Sequence, residues 1–251
     1  MKKVLAIILA ASLALGMAAC SVSTSQSSTR NTSDKSSSSR STTSTTSEEK
    51  DDSSTADTGT VANKDKPLVW FNRQPSNSST GELDMNALSF NDNTYYVGFD
   101  ANQGAELQGT MILDYIKAHI DEIDRNGDGV IGYVLAIGDI GHNDSIARTR
   151  GVRKALGTDV EKDGAINSDP VGTNADGKAT AVKDGTLEVN GKTYVIRELA
   201  SQEMKNAAGA TWDAATAGNA IGTWASSFGD QIDVIASNND GMGMSMFNSW
   251  S

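Results

Sequence analysis

Beyond Pro67, short runs rich in Val, Ile, Leu and aromatic residues alternate with longer stretches of helical period, and that alternation restricts the chain to one class of fold. Leu68–Asn72 reads as a short buried strand and Tyr95–Asp100 as another. From Gln103 to Ile123, Leu107, Met111 and Tyr115 recur at four-residue spacing, as do Ile112 and Ile116, which predicts a helix. Gly132–Ile137 is the next strand, Asn143–Leu156 the second helix, Asp213–Phe228 the third, and Ile232–Ala236 a further strand. Gly241–Trp250 starts one more helix, while Gly157 and Asn174–Gly177 read as loop. Thr186–Val189 and Thr193–Ile196 flank Asn190-Gly191, a strong hairpin signal. Val/Ile-rich strands alternating with helices predict an α/β fold, a parallel sheet covered by helices. Ligands in such sheets sit beyond the carboxyl ends of the strands. His142 after Ile137, and Asn238, Asn239 and Asp240 after Ala236, fall there.

The first residues are of another kind. Lys2 and Lys3 precede an apolar run from Val4 to Met17, too short to span a bilayer comfortably, and small residues follow. Residues 1–19 therefore read as a leader. Met17-Ala18-Ala19-Cys20 is similar to a bacterial lipobox, with Met where leucine is commoner, so Cys20 is expected to carry the lipid that anchors the chain to the membrane. It is the only cysteine, so no disulfide framework exists. Residues 20–66 are Ser, Thr, Asp and Lys with almost no large apolar side chain. Such a stretch cannot offset its chain entropy by burial, and is expected to be a disordered tether spanning roughly 40 Å. A cell-wall spacer or an O-glycosylated stalk is the alternative. Residues 67–251, about 185 in all, suffice for one domain with a real core. A net charge of −11 without a basic patch argues against nucleic acid as partner, and two histidines with no Cys/His cluster argue against zinc.

Two strings carry chemistry. Asp124-Arg125-Asn126-Gly127-Asp128-Gly129 is the front half of a calcium loop, with side-chain oxygens at positions 1, 3 and 5 (Asp124, Asn126, Asp128) and glycine at position 6 for the sharp turn. Taken alone, it reads equally as a solvated turn. The second string is Gly141-His142-Asn143-Asp144-Ser145-Ile146-Ala147-Arg148. Planar Asp, Asn and Arg groups can each make two hydrogen bonds at once to the polar groups of a ligand.

Together with Val69-Trp70-Phe71-Asn72-Arg73-Gln74-Pro75-Ser76, Tyr95-Tyr96-Val97-Gly98, Trp212-Asp213 and Ser237-Asn238-Asn239-Asp240-Gly241-Met242-Gly243-Met244, these strings resemble in order and spacing the calcium-containing glucose/galactose-binding proteins of bacterial sugar importers. The resemblance covers most of Pro67–Ser251. It implies a periplasmic-binding-protein-like type I lobe in which His142, Asp144 and Arg148 hydrogen-bond the hydroxyls. It also assigns Trp212 as the stacking ring and Asn239 as the asparagine from the strand end. For a structural Ca2+ ion it implies Asp124, Asn126, Asp128, the carbonyl of Val130, and a distant carboxylate that aligns with Asp233. Position 9 of the loop is Gly132, without a side chain, and Asp233 is shorter than the family's Glu, so weaker calcium binding is implied.

The family has two lobes and holds the sugar between them. Here Pro67–Ser76 resembles the last strand of the first lobe and its crossover, so the chain is expected to supply mostly the second lobe, incompletely. The segment from Thr158 to about Leu199 departs from shorter family members. The resemblance implies the lipid-anchored, monomeric substrate-binding component of an ABC importer. It would bind a hexose such as galactose or glucose without chemistry and hand it to a membrane permease. The alternative is a truncated, calcium-binding fragment without useful sugar affinity. A repressor of related fold would need a DNA-reading helix pair where the leader and tether stand. An enzyme built on Asp144 and His142 would lack a nucleophile elbow, a Gly-rich phosphate loop or a carboxylate dyad.

Overall fold

The computed structural model describes residues 65–77 and 82–250, so the expected leader, Cys20 and the expected tether up to residue 64 lie outside the described residues. The elements run β1 (Leu68–Asn72), α1 (Met85–Leu88), β2 (Thr94–Gly98), α2 (Ala101–Ala118), α3 (Ile120–Ile123), β3 (Val130–Ile137) and α4 (Asn143–Leu156). There follow β4 (Glu161–Lys162), β5 (Ala165–Ile166), β6 (Gly172–Thr173), β7 (Gly185–Val189), β8 (Lys192–Glu203), α5 (Ala214–Phe228), β9 (Val234–Ser237) and α6 (Asp240–Ser249).

The architecture is an α/β lobe of the expected kind, a mostly parallel sheet covered by helices. β3 is central and pairs in parallel with β8 on one side and β9 on the other. β6 and β7 pair antiparallel with the outer edge of β8, so the sheet is mixed at that edge. The period of two along β3 sorts its side chains between two cores. Ile131, Tyr133, Leu135 and Ile137 pack under α2 and α4 with Ile112, Ile116, Val152 and Leu156. Val134 and Ala136 face α5 and α6, against Ile221, Trp224, Met242 and Met246. Helices α2 and α4 approach closely because two positions carry no side chain. A Cβ on Gly109 would lie 2.4 Å from the carbonyl oxygen of Gly151, and one on Gly151 would lie 2.4 Å from that of Ala105.

The helix expected over 103–123 is interrupted: α2 ends at Ala118, His119 leaves helical geometry, and α3 resumes. The apolar stripe continues through the break, since Ile112, Ile116, Ile120 and Ile123 are all buried. Leu107 and Met111, by contrast, point to solvent (54% and 45% exposed). The Asn190-Gly191 turn is as expected, with both residues at positive φ (53° and 75°).

The segment after α4 is tied to the sheet by a fully buried ion pair. Arg153 donates to Glu198 through Nε and Nη2 (2.9 and 2.7 Å), and through Nη1 and Nη2 to the carbonyls of Asn167 and Asp169 (2.7 and 2.9 Å). Tyr133 donates to the same carboxylate at 2.7 Å and shares a bond with Thr158. Burial, reinforced by the Glu198 charge, pushes the Tyr133 phenol well up. β1 and β2 form a separate two-stranded parallel sheet. The burial expected for β1 is not found: Val69 and Phe71 are 51% and 78% exposed, and Val97 across from Phe71 is 65% exposed. The apolar run in the sequence is that of a sheet interior, but no further layer covers this face among the described residues.

Candidate functional site

Three strand ends bring the candidate sugar residues together. β3 ends at Ile137 and turns through Gly138 and Asp139 to His142, which caps α4. β8 ends at Glu203 and leads to Trp212, and β9 ends at Ser237 and leads directly to Asn239, the cap of α6. All three carboxyl ends lie at one end of the sheet because β8, β3 and β9 are parallel.

Asn238 organises this end, and nothing in its local sequence pattern marks it for that role. It is 1% exposed, and its Oδ1 accepts from the Gly138 amide (3.1 Å) and from Ser145 Oγ (2.6 Å). Its carbonyl oxygen accepts from Arg148 Nη1. One asparagine thus joins the ends of β3 and β9 to the first two turns of α4.

Trp212 adopts a left-handed backbone (φ 60°), rare for a bulky residue and typical of places where surroundings impose a conformation. The constraint is visible: its indole lies on Gly138, where a Cβ would sit 2.3 Å from ring carbon Cε3. The following Asp213 caps α5, its Oδ1 accepting from the Thr216 amide and hydroxyl (both 2.7 Å), and these bonds lower its pKa. Thr211 donates to Asp139 at 3.1 Å, joining the Trp212 segment to the β3–α4 turn.

His142 meets the Trp212 ring edge-to-face, centroids 5.3 Å apart. Its Nδ1 accepts from the Asp144 amide (3.1 Å), so in the neutral imidazole the proton is assigned to Nε2, which becomes an outward donor. Burial, with the Arg73 guanidinium nearby, lowers the His142 pKa and keeps the ring neutral. Asp144 stands in the first turn of α4, where the helix dipole favours a carboxylate. Its charge also reaches Tyr96 of β2, whose pKa is raised first by burial and then by Asp144. Arg148 lies one turn further on. Asn239 uses its Oδ1 to accept from the Met242 amide (2.9 Å), so this oxygen serves the α6 cap. The five candidates therefore divide: His142 and Trp212 touch, Asp144 and Arg148 follow on the same helix, and Asn239 stands beside the Asn238 that holds Arg148. The arrangement offers a neutral N–H donor, a carboxylate, a guanidinium and a flat ring, which is chemistry for holding hydroxyls rather than for breaking bonds.

The second candidate site lies at the other end of β3. Gly127 and Gly129 turn the 124–130 loop with φ of 73° and 78°. Asp124 accepts from the Gly129 amide, Asn126 from the Asp128 amide (3.1 Å), and Asp128 from the Val130 amide (2.7 Å). Asp233, 5% exposed, accepts from the amides of Gly132 (2.9 Å) and Arg125 (3.3 Å). Burial, aided by the Asp124 and Asp128 charges, raises Asp233 to about 7. Among the described residues no three His, Cys, Asp or Glu side chains already stand in metal-ligating geometry. The donor set is nevertheless all hard oxygen, so these residues suit calcium in kind. Position 9 cannot contribute a side chain: a Cβ on Gly132 would lie 2.1 Å from the Gln231 carbonyl oxygen.

No protein-family model matches this chain. The chain is 29% identical over 191 residues to the D-galactose/methyl-galactoside binding periplasmic protein MglB of Haemophilus influenzae. The match covers 74% of this chain and 42% of that relative, so the chain spans well under half the length of the curated protein it resembles.

Proposed function

We propose that this chain is the lipid-anchored substrate-binding component of an extracytoplasmic ABC import system for galactose- or glucose-type hexoses. It binds the sugar without transforming it and passes it to a membrane permease. The observation that carries the reading is the contact of His142 with Trp212 at the carboxyl ends of β3 and β8, with Asp144 and Arg148 following on α4 and Arg148 bonded to Asn238 beyond β9. The likeness to a galactose-binding periplasmic protein supports it. In this reading Trp212 carries the sugar's aliphatic face, while His142 Nε2, Asp144, Arg148 and Asn239 pair with its hydroxyls. Cys20 carries the lipid. The 124–130 loop with Asp233 holds a structural calcium ion through Asp124, Asn126, Asp128 and the Val130 carbonyl, and that ion's role is to stabilise the folded lobe.

A second reading, a calcium-binding chain without useful sugar affinity, is supported by the bare apolar face of β1 and β2. Calorimetric titration of D-galactose into the full chain, in calcium-containing buffer, separates the two. Saturable heat that disappears in Trp212→Ala and in Asp144→Ala is expected. Heat unchanged in both variants overturns the site assignment, and no heat from folded protein selects the second reading.

A further inference from the structure

The acidic loop already faces a cation of the chain's own. Lys192 is the first residue of β8, directly after the Asn190-Gly191 turn, and its Nζ lies 3.6 Å from Asp124 Oδ2. The same ammonium stands 4.3 Å above the ring of Tyr194, itself 4% exposed. Register holds it there. β8 pairs with β3 at Val130↔Val195, and the Val195 amide donates to the Gly129 carbonyl at 2.9 Å, so the hairpin is fastened to the loop's own backbone.

This pair differs from the other lysine–carboxylate pairs of the surface. In Lys154–Glu106, Lys162–Asp169 and Lys178–Asp176 both side chains are more than half exposed, and in Lys183–Asp159 the carboxylate is 29% exposed; Lys192 is also 55% exposed, but the Asp124 side chain is only 6% exposed. Exposed pairs are screened to near nothing, while a desolvated carboxylate retains its demand for a partner. The neighbouring arginines are engaged elsewhere: Arg125 Nη1 donates to the Ile232 carbonyl (3.4 Å), and Arg197 pairs with Asp184.

We propose that Lys192 is the resident counter-ion of the 124–130 loop in the metal-free chain, and that a divalent cation entering the loop must displace it. The second half of the statement rests on the calcium reading above; the first half does not. The hairpin thereby sets the loop's affinity for metal, since two cations cannot share the Asp124 carboxylate without repulsion.

The test uses the full chain, calcium alone as probe, and the variants Lys192→Met and Lys192→Arg with and without Asp124→Asn. By calorimetry Lys192→Met is expected to bind calcium about fivefold to tenfold more tightly, from the removal of one positive charge at such a distance. In chelator it is expected to melt about 2 °C below the parent. That deficit should vanish in the Asp124→Asn background and be rescued by Lys192→Arg, which a merely structural stem would not do. Equal calcium affinity in parent and Lys192→Met overturns the displacement, and equal melting in chelator overturns the counter-ion role. If neither protein binds calcium, yet the Asp124-dependent deficit persists, the metal reading fails and Lys192 as counter-ion stands.

Discussion

β1 and β3 are both parallel strands with apolar runs, and they have opposite fates. β3 lies between two parallel neighbours with helices over both faces, and seven of its eight residues are buried. β1 has one neighbour, and none of its five residues is fully buried, Phe71 being 78% exposed. The difference teaches that strand composition specifies pairing and alternation but not burial, which needs layers contributed from elsewhere in the chain. Burial alone is worth about 25 cal/mol per Å2 of apolar surface, so the two strands stabilise the fold very unequally.

The comparison can be tested at three strengths. The largest effect belongs to the buried pair that fastens the main sheet to the segment after α4. Glu198→Gln leaves Arg153 buried without its counter-charge and is expected to cost about 3–5 kcal/mol in urea unfolding. A cost below about 1 kcal/mol would show that this end of the sheet relaxes to admit water. Next, Leu135→Ala on β3 should cost about 3 kcal/mol through the cavity it leaves, while Val97→Ala on β2 should stay within about 0.5 kcal/mol. Equal costs would mean that the β1–β2 face is covered in solution.

The smallest effect is at the His142 end. The folded pKa of His142 lies below its unfolded value near 6.5, so the unfolded chain binds more protons between the two values. This group's contribution to stability therefore falls as pH drops through about 6.5. The melting temperature should decline less steeply from pH 7.5 to 5.5 in His142→Asn than in the parent. Parallel curves would place the imidazole in an environment as open as the β1–β2 face.

Much of this was legible in the sequence because it is locally encoded. The Asn190-Gly191 turn follows from two residues that accept positive φ. The α4 boundaries agree with the expected Asn143–Leu156, and Gly157, read as loop, is left-handed at its end. The strand-end positions of His142 and Asn239 followed from the alternation of elements alone. Long-range partners left no such mark. Nothing near Asn238 announces that it joins two strand ends to a helix 93 residues away, through Ser145, and nothing around Arg153 points to Glu198 45 residues on. The exposure of Leu107 and Met111 was also missed, because two apolar stripes of the same period run along α2 and only packing against α4 selects one.

By itself, then, the sequence determined the α/β class, the order of its elements, and which residue types stand at the strand ends and in the acidic loop. These depend on interactions within a few residues, where period, caps and turns act directly. Only the tertiary structure decided which stripes are buried, that Trp212 lies on Gly138 with its backbone left-handed, and that Lys192 meets Asp124 across the hairpin. Those outcomes depend on close packing and on the removal of water from charges, which arise when distant segments meet.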